Sequence, residues 1–262
     1  MSKPLFAYGC GSPIRLPIVQ ALSIGASATA FIAEANPVYR AGDSIVWGLI
    51  RGAQEIMLQT RQDGFDYFQV DNAYFGRNAY FRITLNKLQL AHMPANILND
   101  RHKLILGQLG KKIMPWKKER NGPIVVCPSS EFLFGLYGTT LQAWVESVIA
   151  ELKKHTARPV VVRHKELMPK DDIDEAIEDA WCVVTHVSAA ALDALRLGVP
   201  VVTTGECAAS PLATPLSEIE NPRLPEGREA LFSLLANGQF TPEEMLKHNV
   251  LETVRRVALI SA

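Results

Sequence analysis

The sequence predicts an α/β protein of two lobes, with a parallel sheet in the C-terminal lobe and a smaller, less regular N-terminal lobe. Three observations carry this. Between residues 123 and 203, short apolar runs alternate with helix-forming stretches four times. Those runs are nearly all apolar, as strands covered on both faces are, where half-exposed strands would alternate. The length of 262 residues leaves room for two modest domains. The division is placed between residues 1–118 and 119–262.

In chain order, Leu5-Phe6-Ala7-Tyr8 reads as a strand leading into Gly9-Cys10-Gly11. Ser44–Trp47 is a second strand, 52–61 a helix, and 66–70 a third strand that ends at Asp71. Residues 80–84 add a strand of antiparallel character, and 94–123 form a hinge. In the C-terminal lobe the strands are Pro123–Cys127, Pro159–Arg163, Cys182–Val184 and Val199–Val202. An amphipathic helix over 140–154 places Leu141, Trp144, Val145, Val148, Ile149 and Leu152 near one side. A second helix covers 171–180. Ser188 is set to cap a third over Ala189–Leu197, which Gly198 stops. Residues 205–225 are polar, Pro-rich and irregular. Helices follow at 226–236, 242–248 and 250–260, the second opened by the capping pattern Thr241-Pro242-Glu243-Glu244.

Composition excludes little but is orderly. Hydrophobic residues make up 48% and charged residues 21%, enough for a sizeable core. Lys plus Arg and Asp plus Glu are equal at 27 each, so no global positive field draws nucleic acid. One local run is basic: Arg101, Lys103, Lys111, Lys112, Lys117, Lys118 and Arg120, with a single Glu119. It reads as a solvated linker or as a phosphate-facing edge. The four cysteines form no CxxC pair and sit mainly in apolar runs, as small buried hydrophobes in a reducing compartment. No secretory leader is visible and no apolar run is long enough to span a bilayer, so a cytoplasmic protein is expected. The six histidines are scattered without ligand spacing, and no metal site is expected.

Parallel sheets bind ligands beyond the C-terminal ends of their strands. In the C-terminal lobe those positions are Ser129 and Ser130, then Arg163, His164 and Lys165, then Thr185, His186 and Ser188, then Thr203, Thr204 and Gly205. Hydroxyls, glycines and cations suit an anion, most naturally a phosphate. Ser188 and the N–H groups of Ala189 and Ala190 would meet it at a helix N-terminus, or simply cap a packed helix. His186 is either a cleft-facing catalytic group, a candidate general base for an acceptor hydroxyl, or a core histidine. In the N-terminal lobe, Gly9 and Gly11 suggest a tight turn beside a ligand, and Asn72 and Tyr74 follow Asp71. Asp71 is a general base for an acceptor hydroxyl or a turn cap. Arg77 and Arg82 would clamp phosphate or pair with Asp71. Glu206 and Glu220 are candidates for hydrogen bonds to ribose or sugar hydroxyls.

The strand ending at Thr185-His186-Val187-Ser188, its small-residue helix and Gly198-Val199-Pro200-Val201 together resemble the donor-binding half of GT-B glycosyltransferases. The segments "ARPVVVRHK", "AWCVVTHVSAAALDALRLGVPVV", "IENP", "FSLLANGQFTPEEM" and "DNAYFGRNAYFRITLNKLQ" are similar to phage-encoded glycosyltransferase-like proteins. The resemblance covers most of the chain. It implies two Rossmann-like lobes, a nucleotide-sugar bound mainly by the C-terminal lobe, and a final helix that returns to the first lobe. It implies that Ser188 and Arg163 bind the donor diphosphate, that Glu220 meets donor hydroxyls, and that Asp71 lies toward the acceptor. The implied cosubstrate is a UDP- or other NDP-sugar with no permanently bound cofactor. A 5-hydroxymethylpyrimidine in phage DNA becomes a candidate acceptor, and the host cytoplasm the location. Two further classes stay open: a non-catalytic nucleic-acid-binding or scaffold protein, and a sugar-nucleotide epimerase.

Overall fold

The structure, a computed structural model, describes residues 3–164 and 172–260. In chain order the elements are β1 (Leu5–Tyr8), α1 (Leu16–Gly25), β2 (Ala30–Ile32), β3 (Asp43–Trp47), α2 (Ala53–Gln62), β4 (Tyr67–Asn72), β5 (Phe81–Leu85) and α3 (Arg101–Gln108). There follow β6 (Ile124–Cys127), α4 (Glu131–Leu136), α5 (Leu141–His155), β7 (Val160–Val162), α6 (Ile173–Ile177), β8 (Cys182–Thr185), α7 (Ala190–Leu197) and β9 (Val201–Thr203). After two 3-10 turns (Ser210–Leu212 and Leu216–Glu218) come α8 (Arg228–Asn237), β10 (Gln239–Phe240), α9 (Pro242–Lys247) and α10 (Val250–Leu259).

The chain divides into two compact units. Unit 1 comprises residues 1–90, 94–109 and 232–262, and unit 2 comprises 91–93 and 110–231. This corrects the division at 118/119 on two counts. The first boundary falls earlier, just after α3, which occupies part of the expected hinge. Residues 232–262, read as part of the C-terminal lobe, belong to unit 1.

Unit 1 carries a six-stranded sheet in the order β10-β5-β4-β3-β1-β2. β2, β1, β3 and β4 are parallel, whereas β5 is antiparallel to β4 and β10 antiparallel to β5. Its main core joins Ile18, Val19 and Leu22 of α1 and the sheet residues Ala7, Ile45, Phe68 and Ile83 to Phe240, Met245, Leu251 and Val254. The final segment therefore supplies a strand and two helices that the first lobe needs to cover its sheet.

Unit 2 carries a four-stranded, all-parallel sheet in the order β7-β6-β8-β9. Ile124, Val126, Cys182, Val184 and Val202 face α5, whose Trp144, Val145, Val148 and Leu152 complete that core. The crossover from β6 to β7 steps one way along the sheet, and those from β7 to β8 and from β8 to β9 step the other way. Right-handed crossovers then put α5 on one face and α6 and α7 on the other. Such a reversal leaves a crevice outside the carboxyl ends of the two strands that flank it, here β6 and β8.

Candidate functional site

Two loops flank that crevice in unit 2, Pro128–Ser130 after β6 and His186–Ala189 after β8. They are stitched together by hydroxyls. Thr185, fully buried, donates its hydroxyl to the Cys127 carbonyl at 2.6 Å and accepts from the Ser188 N–H at 3.3 Å. Ser129 accepts from the Val187 N–H at 3.3 Å. Ser130 is turned to another task, since its hydroxyl caps α4 by accepting from the Leu133 N–H. Ser188 accepts from the Ala190 N–H at 3.3 Å. The helix begins one residue later than expected, with the exposed Ala189 in the capping position and Ser188 bonded just ahead of it. Arg163 leaves β7 beside this edge, with its N–H on the Val126 carbonyl at 2.9 Å. Lys165, expected to act with it, lies outside the described residues.

His186 sits in an aromatic box. Its ring stacks on Phe134 at 5.5 Å, meets Tyr137 edge-on at 4.6 Å and lies 6.2 Å from Trp144. The ring is half-buried, and loss of hydration lowers its pKa, favouring the neutral imidazole. Thr204 reaches it from the β9 loop, with 2.9 Å between the hydroxyl and His186 Nδ1. The same hydroxyl accepts from the Trp144 indole N–H at 2.9 Å. Gly205 also lines the ring: a Cβ there would stand 2.6 Å from His186 Cε1. Glu206 follows, exposed on the same loop.

A second group gathers along α7, with Asp193 in its first turn and Arg196 in its last. Arg196 is almost fully buried and pairs with Asp174, which Lys111 also meets at 3.0 Å. Asp193 is set among these charges deeply enough that loss of hydration raises its pKa to about 6, with Arg196 and Lys111 acting in the opposite sense. Both Asp193 and Arg163 act electrostatically on Cys127, which places this carboxylate near the end of β6. Asp193 was not foreseen, although a lone acid in the run "AAALDALRL" was a signal. Tyr137 and Phe134 belong to α4 and the residue after it, a helix the sequence reading did not find.

Glu220 is placed elsewhere. It holds Thr156 and Arg158, the latter at 3.3 Å, and Arg158 lies 3.4 Å above the Trp181 ring. These residues precede β7 and β8, so Glu220 belongs to the amino edge of the sheet, opposite the crevice. Its assignment to donor hydroxyls is withdrawn. The basic run is dispersed as well. Arg101 and Lys103 are in unit 1, and the rest are in unit 2. Arg101 is bound to Glu244 and to the carbonyls of Ala236 and Gln239, and Arg120 is buried against Trp181 and Lys117.

Unit 1 has its own reversal of strand order, between β1 and β3. Gly9-Cys10-Gly11 follows β1 there. The glycines serve internal packing: a Cβ on Gly9 would meet Leu16 at 2.2 Å, and one on Gly11, at φ +58°, would meet Ala35 at 2.7 Å. Asp71 in β4 stands opposite Arg82 in β5. It accepts from that guanidinium at 2.9 Å and from the Asn72 N–H at 2.7 Å. The pairing alternative for Arg82 is thus the one realised. Tyr74 is core, not ligand-facing. It is 5% exposed, accepts from the Leu90 N–H at 2.8 Å, and has its own N–H on Gln239. Arg77 is exposed in the β4–β5 turn.

No cluster of three or more His, Cys, Asp or Glu positioned for a metal occurs among the described residues, and no described helix is long and apolar enough to cross a membrane.

No protein-family model and no curated protein sequence matches the chain. Among solved structures it is similar to Thermosulfurimonas dismutans KpsC, β-Kdo 2,4 transferase, at 13% identity with a TM-score of 0.55, covering 97% of each chain. It is also similar to Thermosulfurimonas dismutans KpsC, β-Kdo 2,7 transferase, at 14% identity with a TM-score of 0.56, covering 97% of this chain and 99% of that one. At this level of identity the likeness concerns architecture: the chain has two α/β units in a GT-B-like fold.

Proposed function

We propose that the protein is a glycosyltransferase that moves a sugar from a nucleotide-sugar to a hydroxyl acceptor, and that unit 2 holds the donor. The observation that carries this reading is the position of Ser129, Thr185, His186 and Ser188 at the strand reversal between β6 and β8, within a GT-B-like fold. Donor phosphate belongs there, near Arg163 and the start of α7. In the reaction the acceptor oxygen bonds to the anomeric carbon as the bond from that carbon to the phosphate oxygen breaks. The nucleotide leaves with the electron pair, and Arg163 and the α7 N-terminus meet its charge. The acceptor proton passes to a base. Because cationic side chains and backbone N–H groups supply the charge, the transfer proceeds without a divalent metal.

The donor panel is UDP-, GDP- and ADP-sugars together with nucleotide-activated Kdo, the last because both solved neighbours are named as Kdo transferases. The acceptor panel sets glycan hydroxyls beside DNA containing 5-hydroxymethylpyrimidine. Mass spectrometry of the mixtures is expected to show one acceptor heavier by one glycosyl unit, and the same yield in excess chelator. Arg163→Ala is expected to weaken nucleotide binding about tenfold or more. An interconverted sugar-nucleotide with no transfer would identify an epimerase instead. No product and no nucleotide binding across the panel would overturn the proposal.

A further inference from the structure

The hydrogen bonds around His186 bear on which nitrogen carries its proton. An indole N–H can only donate, so the 2.9 Å contact between Trp144 Nε1 and Thr204 Oγ1 makes the threonine oxygen an acceptor. The Thr204 hydroxyl has one proton of its own to place. Among the described residues, the acceptor recorded for it is His186 Nδ1, at 2.9 Å. When that proton goes to Nδ1, the nitrogen offers its lone pair and a neutral ring carries its hydrogen on Nε2. Nε2 is buried and has no hydrogen-bond partner among the described residues. A buried donor without an acceptor is uncommon in native proteins, and a bound ligand often supplies the missing atom. The ring cannot readily turn to find another acceptor, because Phe134 and Trp144 are buried against it and Gly205 abuts Cε1. Tyr137 is different: it is half exposed and packs edge-on against the ring, so it is the neighbour free to yield.

The geometry points to His186 as a neutral, Nε2-protonated hydrogen-bond donor to an anionic ligand oxygen, held in that tautomer by the relay Trp144–Thr204, and not as a proton acceptor. This rests on the donor-binding reading above for the ligand's identity, a phosphate oxygen of the nucleotide; the tautomer rests on the relay alone. His186 touches the ligand, while Thr204 and Trp144 are positioning residues. The role differs from that of general base, which the sequence also allowed, because a base needs a free lone pair on the nitrogen that faces substrate.

Histidine-15N-labelled full-length protein tests both halves separately. At neutral pH, His186 should appear as a neutral ring protonated at Nε2, and added UDP or inorganic pyrophosphate should shift the Nε2 signal. A proton on Nδ1, or an imidazolium, would overturn the tautomer assignment. UDP or pyrophosphate binding that leaves Nε2 unmoved, or no binding by either, would overturn the ligand assignment and leave the tautomer result standing. His186→Gln places an amide N–H near the Nε2 position and should keep most of the UDP affinity, whereas His186→Asn, too short to reach, should lose about ten- to a hundredfold. If Asn retains affinity as Gln does, the donor role is excluded. Thr204→Val keeps the side-chain volume and should release the tautomer into a mixture, which a merely structural threonine would not do; Thr204→Ser should restore the single form.

Discussion

Asp193 shows how far one buried group can be followed. Loss of hydration lifts its pKa from an ordinary 3.8 to about 6. Between those values the folded chain holds a proton that the unfolded chain has released. The associated stability is fully present below the lower value and is lost as pH rises through 6. Asp193→Asn, which mimics the neutral form, is expected to be more stable than the parent at pH 8 by about 3 kcal/mol and nearly equal to it at pH 4, as measured by urea unfolding at the two pH values. The cysteines supply a second check. Cys10, Cys127, Cys182 and Cys207 are all buried, and burial pushes Cys127 and Cys182 to about 12 and Cys10 to about 11. The native protein is therefore expected to resist thiol reagents at pH 8, with four thiols titrating only after denaturation. Their burial was legible in the sequence because each is small and most lie in apolar runs. The shift of Asp193 was not, because it depends on α6 and on Lys111, elements far from it in sequence.

Among the elements, those with local signals were found and those without were missed. Thr241 and Glu244 form the expected capping box, with the Thr241 hydroxyl accepting from the Glu244 N–H at 3.1 Å and the Glu244 carboxylate from the Thr241 N–H at 2.8 Å. Thr241→Ala should cost about 1 kcal/mol in thermal or chemical unfolding. Glu244 also holds Arg101, so the same cap anchors α3 within unit 1. α5 emerged because its apolar side repeats at helical spacing. α1 did not, because it is apolar on more than one side: it packs on the sheet and along α9, which lies more than two hundred residues later. A helix covered twice loses the polar stripe that periodicity needs. α4 is only six residues long, too short to show a period.

At the level of the whole chain, unit 1 is completed from the far end of the sequence. Removing residues 239–262 would strip β10 from β5 and uncover Phe68, Val70, Phe81 and Ile83. The truncated chain is expected to lose cooperative thermal unfolding and near-ultraviolet dichroism from Trp47, which packs against Phe81 at 5.9 Å. The sequence by itself determined the α/β class, most strands of both sheets, the caps, and the strand-end positions that include Ser129, Thr185, His186 and Thr204. These follow from periodicity, residue size and contacts within a turn or two, all of which operate over a few neighbours. Tertiary structure alone decided the strand order that opens a crevice between β6 and β8, the pairing of Asp71 with Arg82, the removal of Glu220 to the opposite edge, and the transfer of residues 232–262 to unit 1. It also brought Trp144 to Thr204 and His186 across 60 and 42 positions of chain. Such contacts arise from packing of whole faces, and no local pattern records which distant face will arrive.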